Sequence, residues 1–399
     1  MLPFDYYNPT RLLFGRGRIG EVGDRVPPDA TVLVTYGGGS VKRNGVYDAV
    51  LRSLDGRTVH DFGGIEPNPT LESLESALTL VRREGVDFLL AVGGGSVIDA
   101  TKFVAMAAHY DGDPWDILEA HMIGGNPRAT DELLARAPTT ALPLGVVLTL
   151  PATGSEANHG AVISSSERQQ KREFEHESVF PRFSILDPDV TESVPPRQIA
   201  NGVADAFVHV LEQYLTYPAA APLQDRFAES ILVTLTEDGP RWLADPTDVD
   251  ARASVMWCAT MALNTLLACG VPGDWTSHAV GHELTALHGI DHARTLAIVM
   301  PRVMEEAKSS KREKLLQYGE RVFAINQGSE YQRVDAAIAA TERFFQSLEI
   351  PTRLGRYVES PAATPRAVAD RLASRGVTEL GERGEITPDR VERILAASV

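Results

Sequence analysis

The chain has 399 residues, of which 43% are hydrophobic and 23% are charged, so it can bury the core of about two globular domains. Its 54 acidic and 38 basic residues give a formal net charge of −16, which excludes a broad basic face for nucleic acid or anionic membranes. Two cysteines, Cys258 and Cys269, are too few for a disulfide framework and fit a cytoplasmic protein. The N-terminal sequence resembles no signal peptide, and the longest apolar stretch is too short to cross a membrane.

Strand and helix patterns alternate in the first half of the chain. Runs rich in β-branched residues predict strands at 31–36, 88–92 and 145–149. Between the first two, residues 69–83 form a helical pattern with Thr70 as the N-cap. This alternation predicts a Rossmann-like α/β domain, with a parallel sheet covered by helices on both faces.

Helical patterns dominate the second half. Two late helices are predicted to begin with Thr364 and Thr387 as N-caps, because each threonine precedes a proline suited to the first helical position. The other helical patterns extend over 199–214, 219–235, 251–268, 274–288 and 330–348. The sequence therefore predicts an α/β dinucleotide-binding domain at 1–195 and an all-helical domain at 196–399.

Two predicted strand-to-helix turns share the sequence Gly-Gly-Gly-Ser-Val. They contain Gly37, Gly38, Gly39 and Ser40 in the first turn, and Gly93, Gly94, Gly95 and Ser96 in the second. Glycine lets a ligand approach the backbone closely, and a helix start offers unpaired N–H groups and a positive dipole end. The two turns together predict a phosphate-binding site. The pattern is not G-x-G-x-x-G, so the alternative is two tight turns whose glycines only satisfy backbone geometry.

The first glycine turn favours NADP(H) over NAD(H). An NAD site usually places a carboxylate near the ribose 2′-hydroxyl, but no carboxylate follows this strand in the sequence. Lys42 and Arg43 lie nearby, and with Ser40 and the backbone they offer a place for a 2′-phosphate. The alternative is that the two cations belong to a solvated helical turn.

The second glycine turn is predicted to hold the pyrophosphate. Ser96 is predicted to be the N-cap of the following helix, and Asp99 then occupies the third helical position, where a carboxylate suits the helix dipole. Lys102 lies one turn beyond, so Asp99 and Lys102 could instead simply pair with each other.

An otherwise apolar helix pattern carries Asp205 and His209, which at a spacing of i, i+4 lie on one face. Burying an uncompensated polar group costs roughly 2–7 kcal/mol, and a charged one costs more, so a divalent cation would compensate the carboxylate. A later helix, predicted to be capped by Asp274 and closed by Gly289, carries His278 and His282 at the same spacing.

The inferred metal site contains one carboxylate and three imidazoles. Its proposed ligands are Asp205, His209, His278 and His292. His292 follows the glycine turn and can fold back toward the site, whereas His282 lies close by without coordinating and His288 faces elsewhere. This donor set suits Fe(II) or Zn(II). The alternative is a buried Asp–His pair with scattered structural histidines.

Several motifs resemble the iron-containing, or group III, alcohol dehydrogenases. They are GGGSVIDATK at 93–102, PATGSEAN at 151–158, DAFVH at 205–209 and HAVGHELTALHGIDH at 278–292. YGGGSVKRNG at 36–45 and MWCATMALN at 256–264 are similar to the branch of NADPH-dependent aldehyde reductases and butanol dehydrogenases. The resemblance implies a dehydroquinate-synthase-like fold and the same four metal ligands. It also implies cofactor contacts at Asn68, Ser96, Thr149, Thr153 and Lys171.

The function that the resemblance implies is reversible hydride transfer between NADP(H) and short- to medium-chain primary alcohols or aldehydes. The metal would act as a Lewis acid, and His282 is the candidate for proton relay. A homodimer is expected. Two alternatives remain open: a lyase or cyclase of the same architecture that uses NAD transiently, and a non-catalytic nucleotide-binding sensor.

Overall fold

The computed structural model describes residues 1–122 and 129–399, which divide into two compact units. The first unit comprises Tyr7–Val194, and the second comprises Met1–Tyr6 together with Pro195–Val399. The boundary expected from the sequence lies one residue from this division, but residues 1–6 were expected in the α/β domain. They group with the helical unit, where the Leu2 backbone N–H donates to the Gly270 carbonyl at 2.9 Å.

A six-stranded parallel sheet forms the centre of the first unit. Its strands are β1 (Arg11–Phe14), β2 (Thr31–Tyr36), β3 (Thr58–Phe62), β4 (Phe88–Gly94), β5 (Leu144–Leu150) and β8 (Phe183–Leu186). Their order across the sheet is β1-β8-β5-β4-β2-β3. A separate antiparallel pair contains β6 (Gly160–Ser165) and β7 (Gln170–Glu175). The three predicted strands correspond to β2, β4 and β5, and β2 and β4 are buried along almost their whole length.

Helices connect these strands. They are α1 (Ser40–Arg43), α2 (Val46–Ser53), α3 (Leu71–Glu84), α4 (Gly95–Ala107), α5 (Trp115–Ala120) and α6 (Asp131–Arg136). The N-cap predicted for α3 is confirmed, because the Thr70 hydroxyl accepts the Ser73 backbone N–H at 3.3 Å. The sheet and its connecting helices match the α/β architecture that the sequence predicted.

The second unit is helical throughout the residues described. Its helices are α7 (Pro196–Tyr214), α8 (Pro222–Ala244), α9 (Val249–Ala262), α10 (Thr276–His288), α11 (His292–Glu306), α12 (Arg312–Phe323), α13 (Glu330–Ser347), α14 (Thr364–Ser374) and α15 (Pro388–Ala396). Thr387 is the N-cap of α15 as predicted, whereas Thr364 is the first residue of α14 and Ala363 is its N-cap. Both cysteines are buried and unbridged.

Helix α7 lies at the centre of the second unit. Every residue from Ile199 to Tyr214 is buried, and α7 packs against α8, α9 and α11. Such a helix is expected to be apolar on all sides, so the polar residues it carries need an explanation. Among residues 1–122 and 129–399, no helix combines the length and the apolar character of a membrane span.

Candidate metal centre and nucleotide-binding turns

The two glycine turns lie side by side at the carboxyl edge of the sheet. Strands β2 and β4 are neighbours, with Tyr36 opposite Val92, and β5 flanks β4, with Leu150 opposite Gly94. Strand β3 lies on the far side of β2, and β5 lies on the far side of β4. The strand order therefore reverses direction between β2 and β4. Open parallel sheets bind nucleotides at such a reversal of strand order, just beyond the strand ends.

In the first turn, Gly39 has a φ of 84°, a conformation that glycine adopts without strain, and α1 begins at Ser40. The Lys42 ammonium lies 4.5 Å from the ring centroids of both Tyr36 and Tyr47. The expectation that this turn lacks a carboxylate is wrong, because Asp61 Oδ2 lies 3.2 Å from Lys42 Nζ. Asp61 comes from β3, which pairs with β2, and a hydrogen bond from the Tyr36 hydroxyl lowers the pKa of Asp61.

In the second turn, the predicted N-cap is wrong. Helix α4 begins at Gly95 with Gly94 as its N-cap, and Ser96 is the second helical residue. Gly95 packs against Thr153 so closely that a Cβ would lie 2.6 Å from the threonine Oγ1 and Cγ2, so this first helical position requires glycine. Gly94 provides no side chain to cap the first N–H groups of α4, which leaves this helix end suited to an anion.

Asp99 faces the protein interior and holds the loop that follows β5. Its carboxylate accepts hydrogen bonds from the Ser155 hydroxyl at 2.6 Å and from the Val162 N–H at 3.1 Å. Lys102 donates to Ser155 Oγ at 3.0 Å, to Asn158 Oδ1 at 2.9 Å and to the Gly160 carbonyl at 2.8 Å. The direct Asp99–Lys102 pair, the alternative from the sequence, is therefore replaced by a network through Ser155. Burial raises the pKa of Asp99 and lowers the pKa of Lys102 to about 8.

Asn68 and Lys171, two residues that were predicted to contact the cofactor, contact each other. Lys171 Nζ donates to Asn68 Oδ1 at 2.8 Å, and Asn68 has a φ of 55°. The contact arises because Lys171 pairs with Ser164 across the β6–β7 hairpin, and Ser164 forms a bridge to Thr70. Thr149 lies near the end of β5, on the same edge of the sheet as the glycine turns.

Three helices of the second unit bring the predicted metal ligands together. Asp205 and His209 lie on α7, His278 lies on α10 and His292 is the first residue of α11. One ligand atom each of Asp205, His278 and His292 lies within 4.8 Å of the other two. His209, the fourth predicted ligand, lies beside this group of three, with its Nε2 3.1 Å from His278 Nε2 and its Nδ1 3.7 Å from Asp205 Oδ1.

The donor atoms fit a divalent ion. Asp205 Oδ1 is buried and, among the residues described, has no hydrogen-bond partner. An unsatisfied buried carboxylate oxygen is costly, and a cation would satisfy it. Burial lowers the pKa of His209 to about 4, so the imidazole is neutral at pH 7, as a metal ligand must be.

The two other histidines of α10, His282 and His288, lie in different surroundings, as the sequence predicted. The ring centroid of His282 lies 5.1 Å from that of His292, so it borders the four ligands, whereas His288 is exposed and bonds to Thr364 at 3.0 Å. Gly289 closes α10 with a φ of 66°, as predicted. Asp274 was predicted to be the N-cap of α10, and it accepts the Thr276 N–H at 2.9 Å. The N-cap is instead Trp275, the residue that directly precedes the helix.

The sequence interpretation missed Glu212 on α7. This side chain is only 2% exposed, its Oε2 contacts His278 Nδ1, and its Oε1 accepts the Ser277 N–H. Burial, followed by the nearby Asp274 carboxylate, raises the pKa of Glu212 to about 8. The available signal was its position three residues after His209, which places both side chains on one helix face.

Two family models together match nearly the whole chain. The model of the iron-containing alcohol dehydrogenases matches residues 9–188, and the model of the C-terminal part of the Fe-containing alcohol dehydrogenase family matches residues 199–399. The chain belongs to the iron-containing alcohol dehydrogenase family. Members of this family interconvert alcohols and aldehydes, so the chain is an oxidoreductase, and the lyase and sensor alternatives lose their support.

Individual relatives cover most of this chain. It is 53% identical to the NADPH-dependent aldehyde reductase YqhD of Escherichia coli, with 99% of each chain covered. It is 43% identical to NADP-dependent alcohol dehydrogenase 3 of Entamoeba histolytica, with 90% of each covered. NADH-dependent butanol dehydrogenase A of Clostridium acetobutylicum is 38% identical, with 89% of each covered.

Solved structures of relatives share the fold of this family member. The crystal structure of E. coli YqhD aligns with a TM-score of 0.94 at 52% identity, covering 100% of this chain and 99% of the other. The NADH-dependent butanol dehydrogenase A of Thermotoga maritima aligns with a TM-score of 0.91 at 31% identity, with the same coverage. The predicted class, a parallel-sheet domain followed by a helical domain, is therefore confirmed.

Proposed function

We propose that this enzyme is an NADP(H)-dependent aldehyde reductase and primary alcohol dehydrogenase that requires one divalent metal ion, iron or zinc. The observation that carries the proposal is the convergence of ligand atoms of Asp205, His278 and His292 in the helical unit, with His209 beside His278. Two relatives at 53% and 43% identity are named for NADPH or NADP, whereas the butanol dehydrogenase of C. acetobutylicum, at 38%, is named for NADH.

Four side chains of this enzyme would hold the ion: Asp205, His209, His278 and His292. When bound, such an ion supplies a Lewis acid that polarises the oxygen of the reacting carbonyl group. A bound cofactor would supply the hydride from its nicotinamide. His282 is our candidate for moving a proton to or from the substrate oxygen, because its imidazole lies beside the proposed ligands and an imidazole can both donate and accept a proton. The preferred substrates are short- to medium-chain aldehydes of the butanal type.

The glycine turns of the first unit would hold the cofactor. The start of α4 at Gly94 and Gly95 suits the pyrophosphate, and the turn at Gly39 and Ser40 suits the 2′-phosphate of adenosine. The positive charge of Lys42 favours NADP(H), which carries this 2′-phosphate, although the Asp61 carboxylate offsets part of that charge. Thr149, Thr153, Asn68 and Lys171 would contact the remainder of the cofactor, whereas Asp99 holds the loop that carries Thr153. A cytoplasmic homodimer stays a prediction of the sequence.

Initial rates test the proposed cofactor preference. With butanal and saturating metal, we expect kcat/KM to be at least about tenfold higher with NADPH than with NADH. The variant Lys42→Met should lower kcat/KM for NADPH by about tenfold, the equivalent of one charge-assisted contact, and should leave the NADH value nearly unchanged.

The chain offers a matched control for this variant. Arg25→Met removes a partly exposed cation from the same unit, where it pairs with Glu21 at 3.8 Å, away from the glycine turns. We expect it to preserve the NADPH preference. Equal rates with the two cofactors in the unmodified enzyme would contradict the NADP(H) assignment.

A further inference from the structure

We propose that Glu212 is a positioning residue that holds His278 in the tautomer and orientation required of a metal ligand. The inference rests on the proposed metal site and adds a residue to it. Glu212 touches neither substrate nor cofactor in this proposal; it acts through the imidazole of His278.

The backbone geometry of α7 places Glu212 beside the ligands. Asp205, His209 and Glu212 follow one another at i, i+4 and i+7, a spacing that lines up three side chains along one helix face. All three lie within the part of α7 where every residue is buried. A third polar residue at this spacing, in a helix otherwise surrounded by apolar neighbours, indicates a shared task.

Glu212 joins α7 to the start of α10 through three contacts. Its Oε1 accepts the Ser277 backbone N–H, and its Oε2 contacts Nδ1 of His278. Its backbone carbonyl accepts the Asp274 N–H at 2.9 Å. The carboxylate therefore binds both the backbone that precedes His278 and the His278 ring itself, which fixes the ring in position and in rotation.

The chemistry of imidazole explains why a carboxylate is useful there. A neutral imidazole that binds a metal through Nε2 carries its proton on Nδ1, and that proton needs an acceptor. With the ionised Glu212 carboxylate as the acceptor, the form that a cation bound to His278 favours, His278 presents an unprotonated Nε2 toward His209. The two Nε2 atoms are 3.1 Å apart, close to the separation of about 3.3 Å between two nitrogens bound tetrahedrally to one ion.

Metal affinity and spectroscopy test this role without relying on turnover. In the variant Glu212→Gln, we expect Zn²⁺ affinity, measured by competition with a chromophoric chelator, to fall about ten- to a hundredfold. The visible absorption of the Co²⁺-loaded protein should shift, because the ligand field changes when His278 reorients. Glu212→Asp, which retains a carboxylate on a shorter stem, should recover part of the lost affinity.

A matched control separates positioning from general stabilisation. Glu229 on α8 is also a buried carboxylate, and it accepts the Tyr214 hydroxyl of α7 at 2.9 Å without contacting a ligand. Glu229→Gln should leave Zn²⁺ affinity and the Co²⁺ spectrum unchanged even where it lowers the melting temperature. A purely structural Glu212 would behave in the same way, and that result would overturn the proposal.

The two proposals fail in different ways. A wild-type protein that binds no Zn²⁺ contradicts the proposed metal site, whereas a Glu212→Gln protein with wild-type affinity contradicts only the positioning role. If Glu212→Gln does not fold, histidine-selective ¹⁵N NMR of the wild-type zinc protein decides. An Nδ1 proton of His278 shifted downfield by a hydrogen bond to the Glu212 carboxylate supports the proposal, and an Nδ1 proton at the position of an imidazole without such an acceptor overturns it.

Discussion

Replacing His278 with alanine is expected to abolish metal binding and to reduce kcat/KM for butanal by on the order of a thousandfold or more. Lewis-acid stabilisation by a bound ion is worth several kcal/mol, and each 1.36 kcal/mol corresponds to a factor of about ten in rate. The loss follows from the position of His278, whose Nε2 lies 3.1 Å from that of His209 within the ligand group. Metal content per chain and initial rates measure the two effects.

Two comparisons make this prediction specific. NADPH binding, followed by the fluorescence of the reduced nicotinamide, should persist in His278→Ala because the glycine turns belong to the other unit. His288→Ala removes an exposed histidine from the same helix, one that bonds Thr364, and it should keep both metal and activity. Full turnover by metal-free His278→Ala protein would reject the proposed site.

The periodicity of the sequence could predict which residues form the proposed metal site because their spacing indicates a shared helix face. Asp205 with His209, and His278 with His282, are pairs at i, i+4 in apolar surroundings. Glu212 escaped notice because a glutamate near the end of a helix is usually solvated. Its significance depends on the packing of α7 against the start of α10, a long-range contact that no local pattern encodes.

The errors at the glycine turns have the same origin. Asp61 lies 19 residues from Lys42 along the chain and reaches it only because β3 pairs with β2. The N-cap of α4 is Gly94 and not Ser96, and the first helical residue, Gly95, contacts Thr153, which lies far along the sequence. In each case, contacts between residues distant in the sequence override an assignment that is plausible from the local sequence.

The elements that the sequence did not predict carry weak patterns. Strands β1 and β8 are only four residues long, too short to display an alternation. Helix α11 contains a proline and is buried at every position from Ala293 to Pro301, so it lacks a clear polar face there. Helix α12 is mostly polar and begins without a capping side chain.

The variant Lys102→Met is expected to destabilise the first unit by about 3–5 kcal/mol, the usual cost of removing one partner from a buried charge network. Lys102 is 0% exposed, and its ammonium is the positive charge that offsets Asp99 and Glu156. Methionine preserves the packing of the aliphatic stem, so the loss reports mainly on charge and hydrogen bonding. The Gly160 carbonyl, which accepts from Lys102 at 2.8 Å, loses that donor.

Hydrogen exchange of backbone amides in β5 and β6 measures this effect within the first unit, where a loss of about 3–5 kcal/mol corresponds to exchange faster by roughly two to four powers of ten. The control Lys42→Met removes a half-exposed ammonium from the same unit, and its solvent-screened ion pair with Asp61 contributes little to stability. Because Lys102 and Asp99 both bind Ser155, the faster exchange should extend to the loop that carries Thr153. Equal protection of these amides in the two variants would show that the buried Lys102 network stabilises the first unit no more than the half-exposed Lys42 does. Other contacts would then hold this loop.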